Sequence, residues 1–445
     1  MKTVCHKQLS FKSLFGKEII ACFDGGRMTS DGGGLLLREI DERYGVTAAA
    51  ATSIHDRRDR KRTLHDMVAL LRQRIFSIAL GYEDANDADT LKSDPALKIM
   101  SGRLPETDAD LASQPTISRF ENRATSGDLR RLADFLADLY IRTHPGSPDW
   151  IVLDMDATDD PTHGDQQLSF FHGYYDQHMY HPLLIFDGLD GFPLAAILRP
   201  GNVHASKASV SILKRLIKKL KKAYPQTHIL LRADAGFAIP ALYRFLEKQR
   251  RVSYVIGLIT NSRLRRNVER LTAQAQRAFE QTGQKQRQFI SFRYKADSWK
   301  RSRRVIAKVE WLLKGLNQRF VLTNLSTDAQ TIYDDIYVMR GEAENRIKEL
   351  KLDLKADRLS CHRFQANQFR LLLHTLAYCL FWLLRQHLHG TELSAAQAGT
   401  IRLKLLKIGA RVSQSTRRVW FHMASSYPYQ ALFAKIIDNI RAAPS

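Results

Sequence analysis

Aspartates close two hydrophobic stretches of the sequence that their residue pattern predicts to be strands. Residues 151–156 read Ile-Val-Leu-Asp-Met-Asp, which places Asp154 and Asp156 on the same face of a strand. Residues 229–234 end in Asp234. Asp is disfavoured inside strands, and ligands gather at the carboxyl ends of strands in such sheets, so these side chains are candidates for a metal site. The alternative is structural, because an Asp after a strand often caps the next turn or helix.

The segment from Tyr337 to Lys351 contains a third candidate carboxylate. Tyr337, Arg340, Glu344 and Lys351 are spaced Y-(2)-R-(3)-E-(6)-K. On an α-helix the last three lie within about 40° of one another around the axis, so they form one stripe with the carboxylate between two cations. A solvated helix face with ion pairs four residues apart gives the same pattern and is the alternative interpretation.

At these residues the chain resembles the DDE transposases of bacterial insertion sequences, in the branch with the Y-R-E-K signature and a β-strand insertion before the catalytic Glu. The resemblance implies a ribonuclease-H-like core in which Asp234 and Glu344 are the second and third catalytic carboxylates. The first is Asp156 or Asp154. Asp156 is preferred because the family commonly has Thr or Ser just after that Asp, and here Thr158 follows one residue later.

The resemblance covers at least residues 150–385 and implies two Mg²⁺ ions per active site, with Mn²⁺ as a substitute. Asp156 is expected to bridge both ions, while Asp234 and Glu344 each hold one. Other residues are expected to hold DNA phosphates or to stack a base flipped from the element end, and they are Tyr337, Arg340, Arg346, Lys348, Lys351, Trp299, Lys300 and Arg301. Trp311 is an alternative for the stacked base, and core packing is an alternative for both tryptophans.

These residues must be positioned by an α/β fold, predicted as a ribonuclease-H-like mixed sheet with flanking helices, a β-rich insertion and a helical N-terminal region. Residues 113–120 also allow a helix-turn-helix, although an ordinary bundle helix is favoured. The five predicted segments are a mostly helical DNA-binding region (1–147), the first part of the catalytic core (148–261), a basic β-rich insertion (262–330), the second part of the core with the Glu helix (331–390) and a basic C-terminal region (391–445).

The charge of the chain indicates a polyanionic partner. There are 68 lysines and arginines against 46 acidic residues, a net charge of +22. Three segments hold most of the excess: residues 57–74, 262–310 and 400–422. Solvated faces are the alternative for any single segment, but three of them favour contacts with phosphates along nucleic acid.

Other classes of protein are disfavoured by composition. The apolar stretch 371–384 is shorter than the roughly 20 residues of a membrane span, so it predicts a buried helix and no membrane partner. The four cysteines are scattered, which argues against a zinc module or a disulfide framework and fits a reducing cytosol. The histidines near the first aspartates match no zinc pattern; they are His163, His172, His178, His181 and His204.

Together these features predict a cut-and-paste transposase that cleaves DNA at insertion-sequence ends and transfers the strands into target DNA. Its expected partners are double-stranded DNA, as terminal inverted repeats and as target, and a second copy of the chain in a homodimeric synaptic complex. The expected location is the bacterial cytoplasm, associated with the nucleoid. Two alternatives stay open at this point: a nuclease of the same fold without integration activity, and an inactive copy that only binds DNA.

Overall fold

The computed structural model describes residues 8–442, so Cys5 lies outside the described part. The strands are β1 Leu9–Leu14, β2 Lys17–Ala21, β3 Met28–Thr29, β4 Trp150–Ala157, β5 Asp160–Pro161, β6 Phe170–His172, β7 Gln177–Tyr180, β8 Leu183–Asp187, β9 Pro193–Ile197, β10 His228–Ala233, β11 Val252–Leu258, β12 Gln286–Tyr294, β13 Arg303–Leu312, β14 Gly315–Thr323, β15 Ala410–Gln414 and β16 Val419–Met423.

The α-helices are α1 Leu35–Tyr44, α2 Val46–Thr52, α3 Met67–Leu80, α4 Asp87–Leu91, α5 Pro95–Met100, α6 Gln114–Arg123, α7 Ser126–Thr143, α8 Ser209–Ala223, α9 Pro240–Leu246, α10 Ser262–Asn267, α11 Glu269–Thr282, α12 Ala329–Thr331, α13 Gly341–Leu352, α14 Phe364–Gln386, α15 Ala398–Ile401 and α16 Gln430–Ala442. Between α12 and α13 the chain forms a π-helical turn, Ile332–Tyr337, and then a 3-10 turn, Val338–Arg340.

The central sheet has eight strands in the order β12-β13-β14-β11-β10-β4-β8-β9. Strand β4 is parallel to β10, and β10 is parallel to β11, whereas β8 and β9 are antiparallel additions on the other side of β4. Taken in chain order, the five strands from β9 to β11 therefore follow the order 3-2-1-4-5, which is the ribonuclease-H-like arrangement. The predicted fold class is confirmed.

The insertion continues the central sheet at the edge formed by β11. Strand β14 pairs antiparallel with β11, and β13 and β12 follow as antiparallel neighbours. The insertion begins with two helices, α10 and α11, before its three strands. The sequence predicted the alternating strands here but not these helices, because α11 buries only Ala275 fully and presents a mostly polar surface.

Helix α7 packs against β9 and is tied to the end of β8. The Tyr140 hydroxyl donates a hydrogen bond of 2.6 Å to Asp187 Oδ2, and the Tyr140 ring meets Phe192 edge-on at 5.5 Å. A capping box formed by Thr125 and Asp128 begins this helix. Its apolar stripe, with Leu132, Leu136 and Leu139 fully buried, covers the antiparallel side of the sheet.

The chain forms two compact units. The first comprises residues up to Arg123, Asp353–Arg358 and the residues from Leu376 onward; the second comprises Ala124–Leu352 and Leu359–Thr375. The second unit contains the whole central sheet and α7 to α13. Its boundary precedes α7, since this helix is bonded to the sheet through Tyr140, whereas the sequence predicted a break near residue 147. The five predicted segments remain a prediction.

The first unit is mostly helical and contains a small three-stranded sheet in the order β16-β15-β3. Helices α5 and α6 are separated by residues 101–113, a connection much longer than the short turn of a helix-turn-helix. Within the described residues 8–442, no helix is long and apolar enough to cross a membrane. Helix α14 instead buries its apolar stretch, from Leu371 to Leu384, inside the protein.

Candidate active site

Asp156 lies near the carboxyl end of β4, the strand at which the sheet changes from parallel to antiparallel pairing. The Ala157 backbone N–H donates a hydrogen bond of 2.8 Å to Asp156 Oδ1. Burial raises the pKa of Asp156 to about 6, and the negative charges of Asp234 and Glu344 act in the same direction. Such repulsion among carboxylates is the electrostatic condition that a bound cation relieves.

Asp234 follows β10 directly, beside Asp156. In the β10–β4 ladder Ala233 pairs with Met155, so the parallel register brings the next residue of each strand to the same edge of the sheet. The Asp234 carboxylate caps the turn that follows by accepting a 2.9 Å hydrogen bond from the Gly236 backbone N–H. Burial is the main cause of its raised pKa, and the charge of Glu344 adds to it. The capping alternative and the proximity to Asp156 therefore both hold for this residue.

Glu344 is joined to Asp156 through Arg340. The Arg340 guanidinium donates from Nη1 to Asp156 Oδ2 at 3.2 Å and from Nη2 to Glu344 Oε1 at 3.0 Å. Helix α13, which carries Glu344, packs against β4 and β8 with Ala343 and Ile347 buried. Side chains from three segments that are far apart in sequence thus form one cluster, with an arginine between two of the carboxylates.

Asp154 is placed in a different environment from Asp156. Its carboxylate accepts two hydrogen bonds of 2.6 Å each from Arg232 Nε and Nη2, and both side chains are almost fully buried. Arg232 also donates from Nη1 to the Ile336 backbone oxygen at 3.0 Å. The pair therefore links β4 and β10 to the turn that leads to Arg340.

The other two residues of the spaced motif lie around this cluster. The Tyr337 ring is half-buried, with the Arg340 guanidinium carbon 6.0 Å from its centroid. Lys351 Nζ donates to Asp159 Oδ1 at 2.9 Å and to the Asp159 backbone oxygen at 2.8 Å. The lysine thus fastens α13 to the loop after β4.

The remaining predicted DNA contacts are divided between exposed and buried positions. Lys348 and Lys300 are exposed, Arg346 is half-buried over Gly191, and Arg301 donates to Glu247 Oε2 at 2.5 Å. The Trp299 side chain is 6% exposed and meets the rings of Tyr243 and Tyr294 at 5.5 Å, so in this conformation it has no free face for a base. Trp311 is half-buried on β13.

The donor chemistry of the cluster fits a hard divalent cation, because all three candidate ligands are carboxylates. Within residues 8–442, however, no three acidic, histidine or cysteine side chains are arranged to hold a metal ion. The guanidinium of Arg340 lies between Asp156 and Glu344, at 3.2 Å and 3.0 Å from their oxygens. It supplies positive charge at the place where a cation held by these two carboxylates would bind.

Two features of the site could not be identified from the motifs alone. Arg232 stands inside a buried strand, where an arginine needs an acidic partner, and this was the available signal for its pairing with Asp154. Gly257 on β11 leaves room for the site: a Cβ there would lie 2.6 Å from the Tyr337 hydroxyl and 2.9 Å from the Ala235 backbone nitrogen.

A ribonuclease-H-like sheet with acidic residues at the ends of its adjacent central strands defines the class of metal-dependent nucleases and strand transferases that act on nucleic acids. The chain belongs to one family within that class: its sequence matches the family described as "Transposase DDE domain group 1" over residues 11–445. The protein is accordingly a DDE transposase, an enzyme that cleaves DNA and transfers strands. Enzymes of this family use divalent metal ions, and the partner of the chain is DNA.

Among solved structures, the chain is similar to the piggyBac transposase in a cryo-EM structure of its synaptic complex with hairpin DNA. The two are 10% identical, the match covers 94% of this chain and 83% of that chain, and the TM-score is 0.45. A comparison with curated proteins finds no match.

Proposed function

We propose that the protein is a cut-and-paste transposase in which Asp156, Asp234 and Glu344 are the catalytic carboxylates. The observation that carries this assignment is the bridge formed by Arg340, which holds Asp156 and Glu344 together, while burial and then the charge of Asp234 raise the pKa of Asp156. Asp154 is less suited to the role, because both of its carboxylate oxygens accept hydrogen bonds from Arg232. The geometry thus supports Asp156 as the first carboxylate.

We further propose that the three carboxylates hold two Mg²⁺ ions, with Mn²⁺ as a substitute. When bound, such a pair activates the attacking oxygen and stabilises the leaving oxygen of a phosphodiester. Asp156, whose pKa is raised by burial and by the charges of both Asp234 and Glu344, would bind both ions, and Asp234 and Glu344 would each bind one.

In this proposal Arg340 first binds two carboxylates and then a DNA phosphate. Without DNA it neutralises Asp156 and Glu344; with DNA and metal bound, it turns to a phosphate of the terminal nucleotides, for which a guanidinium is well suited. Tyr337 borders the same space and contributes a hydroxyl donor. Lys351 holds the loop after β4 through its hydrogen bonds to Asp159. Its proposed role is to fix the end of the strand that carries Asp156 and to add positive charge.

The substrates in this proposal are the terminal inverted repeats and a target duplex, bound by a homodimer that synapses two ends. The exposed Lys300 and Lys348, with Arg346, are proposed as phosphate contacts on the two parts of the catalytic core. Residues 1–147 are proposed to bind DNA, and the basic insertion 262–330 to hold it near the core. The proposed place of action is the cytoplasm, on nucleoid DNA.

The test is an excision and strand-transfer assay on a DNA substrate with the inverted repeats that flank the reading frame. Asp156→Asn, Asp234→Asn and Glu344→Gln are each expected to lower cleavage by about 10³-fold or more, because each removes several kcal/mol of transition-state stabilisation. Binding to the ends, measured by gel shift, is expected to persist.

Glu342→Gln is the matched control, since Glu342 is an exposed carboxylate two residues away on α13. This variant is expected to cleave like the wild-type protein. Normal activity of Glu344→Gln would show that the assignment is wrong. Cleavage without any joined product in the wild-type protein would favour the alternative, a nuclease without integration activity.

A further inference from the structure

Three arginines near the C-terminus are not neutralised by any neighbouring group. Within residues 8–442, no hydrogen bond or ion pair engages the guanidinium groups of Arg411, Arg417 and Arg418, and all three side chains are exposed. Other cations of the same basic segment are paired: Lys407 lies 2.7 Å from Asp31, and Arg402 donates to two backbone oxygens. Within residues 400–422, the guanidinium groups without a hydrogen-bond or ion-pair partner therefore lie on one element.

That element is the antiparallel pair β15–β16 with its turn, residues 410–423, which we name the C-terminal ribbon. Its register pairs Arg411 with His422 and Ser413 with Trp420, and directly opposed residues point to the same face. Arg418 precedes Trp420 by two residues and lies on that face as well, with its guanidinium carbon 5.6 Å from the Trp420 ring centroid. One face of the ribbon therefore combines arginines with an aromatic ring.

The opposite face anchors the ribbon in the first unit. Ala410 and Val412 are buried, and β15 pairs with β3 through Ala410 and Arg411. The turn is closed by a 2.8 Å hydrogen bond from the Ser415 backbone N–H to the Arg418 backbone oxygen. The cationic face is thus presented on a fixed scaffold, which lowers the entropy lost on binding.

We propose that the C-terminal ribbon binds double-stranded DNA, with Arg411, Arg417 and Arg418 on phosphates and Trp420 against the groove edge. The inference rests on the proposed function insofar as DNA is the substrate. A two-stranded ribbon, with strands about 5 Å apart, fits a major groove about 12 Å wide. Residues 393–437 contain no Asp or Glu, so no carboxylate of this region repels the phosphates.

The test is fluorescence anisotropy of the full-length protein with a labelled 30-base-pair duplex of arbitrary sequence over a series of salt concentrations. Arg417→Ala/Arg418→Ala is expected to weaken binding at least tenfold near physiological salt. The slope of log affinity against log salt is expected to become shallower by about 1.8, because each phosphate contact contributes about 0.9. Trp420→Ala is expected to weaken binding without changing the slope, since an uncharged ring releases no counterions.

The matched control is Arg38→Ala/Lys92→Ala, which also removes two positive charges. Both of these side chains are already paired with acidic residues. This control is expected to keep the wild-type slope to within about 0.5. Equal slopes for both double variants would show that only net charge matters and would overturn the proposal. Wild-type affinity of Arg417→Ala/Arg418→Ala would overturn it as well.

The same measurement in a Glu344→Gln background separates this proposal from the proposed function. The ribbon substitutions are expected to weaken binding equally there, because binding by the ribbon does not use the carboxylates. If Glu344→Gln cleaves DNA normally, the catalytic assignment fails while the ribbon result stands. If the ribbon variants bind like the wild type, the ribbon proposal fails while the cleavage result stands.

Discussion

At the scale of single residues, Asp154 and Asp156 are two positions apart on β4, but we expect their substitution to have opposite effects on the stability of the protein. Asp154→Asn leaves Arg232 buried without its ionic partner, and we expect a loss of about 3–5 kcal/mol in the free energy of unfolding. Asp156→Asn removes a carboxylate whose charge is disfavoured by burial and by repulsion from Asp234, so we expect stability equal to or above that of the wild type. Urea unfolding followed by circular dichroism measures both.

A double variant provides the control for this prediction. Asp154→Leu combined with Arg232→Met replaces both charges by apolar groups, and we expect it to be less destabilised than Asp154→Asn alone, since no unpaired buried charge remains. An unchanged unfolding midpoint for Asp154→Asn would contradict the structural role given to the pair.

Arg340 is expected to compete with metal ions for the carboxylates. Because its guanidinium bonds to Asp156 and Glu344, Arg340→Gln removes a positive charge from the place that a divalent cation needs. We expect Mn²⁺ to bind this variant several-fold more tightly than the wild type in the absence of DNA, as measured by calorimetry, while affinity for element ends falls. Arg346→Gln is the matched control for Mn²⁺ binding and is expected to bind Mn²⁺ like the wild type. Weaker Mn²⁺ binding by Arg340→Gln would show that the arginine supports the metal site.

At the scale of elements, the strands of the insertion are stabilised by a buried carboxylate on β13. Glu310 Oε1 lies 2.7 Å from Lys285 Nζ, and its Oε2 accepts a 2.8 Å hydrogen bond from Lys308. A third hydrogen bond, of 2.9 Å, comes from Asn317 on β14. Burial alone would raise the pKa of Glu310, but the hydrogen bonds outweigh it and lower the pKa from 4.5 to about 2.

This lowered pKa predicts how stability depends on pH. A carboxylate with a lower pKa in the folded state contributes stability that is present above pH 4.5 and is lost as the pH falls toward about 2. We expect Glu310→Gln to lose about 1–3 kcal/mol at pH 7 and to show a flatter decline between pH 4.5 and 2. Thermal unfolding across that range measures the difference, and parallel curves for the two proteins would contradict it.

The segment before α13 shows how an element can depart from its sequence pattern without losing its role. The spacing of Tyr337, Arg340 and Glu344 predicts one continuous helix, but a π-helical turn and a 3-10 turn precede the α-helix at Gly341. The helical stripe is therefore interrupted. A hydrogen bond from Arg232 to the Ile336 backbone oxygen ties this segment to β10, and Arg340 still reaches both carboxylates.

At the scale of the whole molecule, not all of the 68 lysines and arginines are available to DNA. Each of the three basic segments contains a cation that is used inside the protein: Arg74 pairs with Glu121, Arg303 with Glu247, and Lys407 with Asp31. Counting residues in the sequence cannot separate these cations from unpaired ones such as Arg417. Only the unpaired ones are free to displace counterions from DNA, so the salt dependence of binding follows from the structure.

The sequence by itself determined the order of the core strands along the chain and the candidate carboxylates, and its resemblance to a known family determined the class of enzyme. Hydrophobic alternation and the unusual aspartates at strand ends are local signals, readable without any contact information. Only the tertiary structure decided that Arg232 binds both carboxylate oxygens of Asp154, that Arg340 lies between Asp156 and Glu344, and that Trp299 is buried. These outcomes depend on which strands become neighbours and in which register, and that pairing is set by packing across the sheet between residues far apart in the chain.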